Sequence, residues 1–225
     1  MELVIEIICL AMTVIGFTVG GICLLKKGKP LYLQLFVIAT GCRMLERLIV
    51  VVSMLCGVSD GDISVATFVG TFAYALFAFS ANYGVMDKVV DDKSNKANKK
   101  YRRLALLFPL FLIGPAAFII VQYIKNYSVY SGILMLVATL PVYGAAYYNF
   151  KFAILPEDEM GILKIIRPLN WIAVVAYFVG IINNVINSML PGTIYASLIH
   201  IAVYAFPMVF CLVAVWGDKQ WKTLI

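Results

Sequence analysis

Residues 31–57 read LYLQLFVIATGCRMLERLIVVVSMLCG, an apolar run that carries charge only at Arg43, Glu46 and Arg47. A helix of that length, at about 1.5 Å per residue, is long enough to cross the roughly 30 Å hydrocarbon core of a bilayer. Charge facing lipid at that depth is costly. The stretch therefore predicts a membrane helix whose charged stripe faces the interior of a bundle.

The rest of the chain supports that reading. Of its 225 residues 63% are hydrophobic and 13% charged, against about 25% charged in a soluble domain. The apolar residues fall into blocks at about 3–25, 31–57, 63–86, 104–124, 128–152, 162–190 and 194–217. None alternates strictly, and each far exceeds the roughly ten residues of a membrane β-strand. The expected fold is all-α: a polytopic membrane protein, one seven-transmembrane-helix bundle spanning residues 1–225. The first block opens MELVIE, acidic where a secretory signal is basic, and reads as a mature helix.

Lys and Arg set the orientation. The segments KKGKP (26–30), DKVVDDKSNKANKKYRR (87–103), 151–167 and the tail DKQWKTLI hold 15 of the 18 basic residues. They belong on one side, which places the N-terminus outside and the C-terminus inside a plasma (cytoplasmic) membrane. Trp171, Trp216 and Trp221 then form an inner interfacial belt. The net charge of +6 is mostly this topology signal. Anionic lipid accounts for the run NKANKKYRR, so nucleic acid is not an expected partner.

Small residues and prolines indicate how the helices meet. Gly16 and Gly20 make a G-x-x-x-G on the first helix, and Gly70, Ala73, Ala78, Ala81 and Gly84 line the third, where they admit close backbone approach. Pro109, Pro115, Pro141 and Pro207 fall inside later spans, where proline removes a backbone hydrogen bond. The five cysteines lie in apolar spans without C-x-x-C spacing and read as packing residues. With a single histidine, His200, no metal-ligand cluster is expected and no cofactor is implied.

The charged stripe gives the candidate site. From Leu31, Arg43 lies roughly 18 Å along the helix and Arg47 roughly 24 Å. Arg43 and Arg47 are four apart and share a face, with Glu46 beside them. At similar depth other spans offer Glu6, Tyr74, Asn183, Asn184, Asn187, Ser197, His200 and Tyr204. Two readings follow. Arg43 and Arg47 against Glu6 and Glu46 sum to zero, so the cluster can be a closed ion-pair network that fixes helix register. Alternatively part of it stays open, and the arginine fork holds a carboxylate or phosphate. In that reading Arg43 and Arg47 bind the anionic head of a small anionic or amphiphilic ligand, Glu46 and Glu6 orient the arginines, and Asn183, Asn187 and His200 complete the hydrogen bonds, with Tyr74 in the wall. His200 is either a packing residue or a pH-sensitive element.

The function this predicts is receptor- or sensor-like small-molecule binding, with solute transport through the same pocket as the alternative. Asn82, Tyr143, Tyr147, Asn149 and Asn170 would extend the polar path for a carrier. Ser197 lacks a G-x-S-x-G turn and a placed acid, so an enzyme is not expected. On the inner side, LPEDEMGILKIIRPLNW starts with Pro156 and three acids, a helix-start pattern. It predicts an interfacial segment that runs into the sixth span with a bend at Pro168, serving either as simple capping and anchoring or as a docking surface for a cytoplasmic protein partner or a latch against the basic third loop. No lysine lies before Trp216 in the seventh span, which disfavours a retinal Schiff base, and no Pro-Gln pair of the sugar-carrier type occurs.

Overall fold

A computed structural model of the chain describes residues 2–26, 28–29, 31–57, 64–80, 82, 91, 96–126, 128–156 and 162–224. These residues form seven α-helices: α1 (Glu2–Leu24), α2 (Leu31–Leu55), α3 (Ser64–Ser80), α4 (Lys99–Asn126), α5 (Val129–Ile154), α6 (Ile162–Met189) and α7 (Ile194–Leu224). A 3-10 turn, Lys96–Asn98, leads into α4. No strand occurs among the described residues.

Two helices outrun their apolar blocks. The basic stretch KKYRR continues α4 toward its N-terminus, and the tail continues α7 to Leu224. Both extensions are rich in good helix formers and carry no proline or glycine beyond Gly217. The acids 157–159 and Met160 lie outside the described residues, as do Ala81 and Gly84. Pro168, the position expected to mark a bend, sits within α6, as Pro109 and Pro115 sit within α4, Pro141 within α5 and Pro207 within α7.

Five helices, α1 and α4 to α7, are long and apolar enough to cross a bilayer, the pattern of a multi-pass integral membrane protein. Helix α2 is held out by its three charges, and α3 has 17 residues. The polarity of the fold is inverted relative to a soluble protein. Leu106, Leu107, Leu110, Phe111 and Ile113 of α4 are exposed, whereas Arg43, Glu46 and Arg47 are 3%, 3% and 6% exposed. Apolar matter faces outward and charge faces in, the arrangement hydrocarbon solvent favours.

Six helices close a ring in the order α1, α2, α3, α5, α6, α7, with α2 also touching α7 across it. Helix α4 stands outside, packed mainly along α5. The glycines of α1 explain the tightest joints. A Cβ at Gly16 would stand 2.8 Å from the Met208 backbone of α7, and one at Gly20 would stand 2.6 Å from the Val37 side chain of α2. Hence the G-x-x-x-G face is where α1 enters the groove between α2 and α7. Beneath it Phe36, Phe77 and Phe210 stack, with centroids 5.4 Å apart for Phe36 to Phe210 and 5.0 Å for Phe77 to Phe210. This aromatic block ties α2, α3 and α7 together.

Candidate functional site

The charged stripe of α2 is the start of a chain of alternating charge. Arg43 Nη1 meets Glu46 Oε2 at 2.5 Å, Arg47 Nη2 donates to Glu46 Oε1 at 2.8 Å, and Arg47 Nη1 donates to Glu6 Oε2 at 2.6 Å. The remaining oxygen of Glu6 lies 3.1 Å from His200 Nε2. Helical spacing makes this work: positions 43, 46 and 47 lie on one face, so a carboxylate sits between two guanidinium groups. Tyr204 of α7 donates to Glu46 Oε1 at 2.9 Å, and its ring lies under both guanidinium groups at 4.2 Å. Tyr74 of α3 offers a second face to Arg43 at 4.6 Å. Aromatic faces supply partial negative potential where water is excluded.

Much of the stripe is therefore a closed network, as the first of the two readings holds. One part of it is not closed. Arg43 lines a cavity of about 240 Å³, partly open and enclosed by α2 to α7. Its Nε is buried without a hydrogen-bond partner among the described residues. Glu46, Tyr74, Asn183, His200 and Tyr204 share that wall. Of the residues expected to form the site, the fold brings Arg43, Glu46, Tyr74, Asn183 and His200 to the cavity. Arg47 and Glu6 stand behind that wall and hold Glu46 and His200 in place.

Asn187 is not in the site. It is exposed, and its amide donates back to Asn183 Oδ1 and to the Asn183 carbonyl, both at 2.9 Å. A position four residues on keeps the same face but lies about 6 Å further along the axis, near the helix end at Met189 and beyond the cavity wall. Asn184, by contrast, lines the cavity while donating to the Gly180 carbonyl at 2.8 Å.

Tyrosines complete the wall: Tyr123 from α4, Tyr143 from α5 and Tyr177 from α6. Tyr143 donates to the Leu112 carbonyl of α4 at 3.0 Å, within the stretch between Pro109 and Pro115. The signal for Tyr143 and Tyr177 in the sequence is a tyrosine in mid-span, where its hydroxyl must find a partner, whereas Tyr123 stands in the last turn of α4.

Two of the polar residues expected to continue a path inward, Asn149 and Asn170, are tied into a joint instead. Asn149 and Asn170 are fully buried and bonded to each other at 3.0 Å. Asn149 Nδ2 also donates to the Ala78 carbonyl at 3.0 Å, and the Tyr177 hydroxyl donates to the Val142 carbonyl at 2.9 Å, beside Asn149 Oδ1 at 3.1 Å. This joint fastens α3, α5 and α6 below the cavity. Satisfied buried amides of this kind are rigid fixtures.

A second set of charges lies at the opposite end of the helices. Lys29 pairs with Asp218 of α7. That hydrogen bond raises the Lys29 ammonium above the ordinary lysine range. Asp91 accepts from Arg102 Nε at 2.9 Å and from Nη2 at 2.7 Å, and Lys151 Nζ stands 3.3 Å away. Burial alone would raise the Asp91 carboxyl, but the Arg102 hydrogen bonds and the Lys151 charge outweigh it and hold it below the ordinary carboxylate range.

One grouping departs from what a single histidine suggests. Glu6, Cys9 and His200 place one oxygen, one sulfur and one nitrogen within 4.8 Å of one another. These are donors for a divalent metal ion, and α1 and α7 bring them together from distant parts of the chain. No protein-family model, curated protein or solved structure matches the chain.

Proposed function

We propose that the protein crosses its membrane seven times and binds a small amphiphile with an anionic head in the cavity beside Arg43. The observation that carries this is Arg43 itself. It is a buried cation on a cavity wall, its Nε lacks a hydrogen-bond partner among the described residues, and its fork geometry suits a carboxylate. The remaining lining is amphiphilic: Asn183 and His200 near the charge, then Phe77, Ala173, Ala176 and Leu112. At about 240 Å³ the volume falls just below the usual ligand range of about 300–1,000 Å³. A short-chain carboxylate or a compact aromatic acid fits that scale.

The two helices that fall short of a bilayer span by composition or length fit the seven-span reading. Ion pairs with Glu46 and with Glu6 of α1 balance the charge of α2, and α3 has apolar partners on both sides in the ring. The positive-inside rule then puts Lys29 and Lys151, paired within the bundle, at its inner end, and the exposed Lys96, Lys99, Lys100 and Arg103 at the inner surface of the plasma membrane, against anionic lipid and within reach of a cytoplasmic protein partner. The cavity lies in the outer half. A receptor or sensor role is favoured over transport because the Asn149–Asn170 joint and the Phe36–Phe77–Phe210 stack close the bundle below the cavity. Binding is non-covalent in this account.

The test is equilibrium binding of a fluorescent medium-chain carboxylate to the purified protein in detergent, with Arg43→Met and Arg43→Lys beside the wild type. Saturable binding that Arg43→Met abolishes and Arg43→Lys weakens supports the reading. A folded Arg43→Met protein that binds the probe as the wild type does overturns it. Concentrative uptake of the same carboxylate into liposomes would move the assignment to a carrier.

A further inference from the structure

We propose that Glu6, Cys9 and His200 form a binding site for a divalent transition ion of the zinc class, clamped between α1 and α7. Carboxylate oxygen, thiolate sulfur and imidazole nitrogen are the donor types zinc takes, at roughly 2.0–2.3 Å. Tetrahedral donors at such lengths stand roughly 3.3–3.8 Å apart. The three atoms already lie within 4.8 Å of one another, so side-chain rotations of about 1 Å close the set.

The backbone fixes the geometry. Glu6 and Cys9 are three residues apart on one face of α1, and His200 faces them from α7. The approach of these two helices is set nearby, where Gly16 lets α1 reach the Met208 backbone. The neighbouring ion pair leaves room for a metal, because the two oxygens of Glu6 have separate partners. Oε2 is held by Arg47 at 2.6 Å, and Oε1 points to His200 at 3.1 Å. An ion inserted at Oε1 and Nε2 replaces the second contact and leaves the first, so Arg47 orients the carboxylate from outside the coordination sphere.

Charge and protons balance. Arg43, Arg47, Glu6 and Glu46 sum to zero. A divalent ion together with an ionised Cys9 adds one positive charge, which a hydroxide at the fourth position removes. Of the three donors His200 lines the cavity, through which water would reach that position. Metal binding releases to solvent the Cys9 thiol proton, one proton from the water that becomes the hydroxide and, where His200 carries a charge, its imidazolium proton. Three donors with an open fourth position are the pattern of zinc sites that take an exchangeable ligand.

The test is titration of the full-length protein in detergent, washed free of metal by chelator, with Co²⁺. The wild type is expected to show a near-ultraviolet thiolate-to-cobalt charge-transfer band and tetrahedral visible bands that saturate at one ion per chain, both bleached by Zn²⁺. Cys9→Ser should remove the charge-transfer band, and His200→Ala should weaken Co²⁺ binding by about tenfold or more. Cys56 is an exposed free thiol, so Cys56→Ser serves as the control and should leave the spectrum unchanged. A wild type without a thiolate band overturns the proposal whatever the variants do. So does a band that survives Cys9→Ser and disappears with Cys56→Ser.

Discussion

The backbone of Gly70 in α3 lies against the carboxylate of Glu46 in α2. A Cβ at Gly70 would overlap the Glu46 carboxylate and the Arg43 guanidinium. The missing side chain is what lets α3 close over a buried ion pair and shield it from lipid. Gly70→Ala is therefore expected to spread α2 from α3 or displace the pair, costing about 1–3 kcal/mol by overpacking. Thermal unfolding in detergent should show a lowered midpoint. An unchanged midpoint would mean that α3 does not sit on the pair.

Gly180 of α6 gives the opposite expectation. It faces the same cavity, and a Cβ there meets nothing within 4 Å. Gly180→Leu should fill the cavity while leaving the helical content and unfolding midpoint close to those of the wild type. Carboxylate binding should fall by about tenfold or more, since a small pocket loses most of its contact with the ligand. Circular dichroism and the binding titration together check both halves.

Breaking the buried chain of charge should be more damaging than removing a linked pair. Arg47→Met leaves Glu46 and Glu6 without a shared cation and is expected to cost about 3–5 kcal/mol. Adding Glu6→Gln should cost less than the sum of the two single changes, because the pair no longer exists to be broken. A double-mutant cycle by denaturant unfolding measures the coupling. Strict additivity would remove the Glu6–Arg47 contact from the account.

The charges at the other end predict a stability profile with pH. Asp91 has a folded value held below its ordinary 3.8. Its contribution is therefore complete above that value and is lost as pH falls through the folded one. Lys29 is raised above its ordinary 10.5, so its contribution is complete below that value and is lost as pH rises through the folded one. The unfolding midpoint should thus contain an Asp91 component only at the acid limb, below about pH 4. Asp91→Asn should flatten that limb and leave the alkaline limb in place.

Orientation can be read with a native residue. Cys56 follows the C-terminal end of α2 and is exposed. A membrane-impermeant maleimide should label it from outside intact cells. Cys56→Ser should abolish the labelling, and Ser128→Cys, between α4 and α5, should restore it. Labelling of a Lys99→Cys variant from outside would reverse the assigned topology.

Much of this arrangement is legible in the residues, for physical reasons. Hydrocarbon demands long apolar helices, so the positions of the helices follow from length and hydropathy alone. The cost of lipid-facing charge is enough by itself to point Arg43, Glu46 and Arg47 inward. What hydropathy does not encode is which helix lies next to which. Lipid-facing and partner-facing sides are both apolar, so the exclusion of α4 from the ring cannot be read from its sequence. For the same reason Cys9 reads as packing, because its neighbours Glu6 and His200 meet only when α1 reaches α7. Asn187 fails by depth: it shares the face of Asn183 but lies about 6 Å, one helical turn, nearer the helix end. Tyr143, Tyr177 and Asn149 are visible as polar groups in mid-span. Their roles as joints between α4, α5 and α6 depend on carbonyls that no sequence pattern marks.

The most direct measurement is native mass spectrometry of the protein released gently from its own membranes, with Arg43→Met and Gly180→Leu handled in parallel. The account predicts a small anionic amphiphile bound one per chain to the wild type and absent from both variants. An adduct of the same mass retained by folded Arg43→Met and Gly180→Leu proteins would place the ligand elsewhere. It would contradict the assignment of the Arg43 cavity as the binding site.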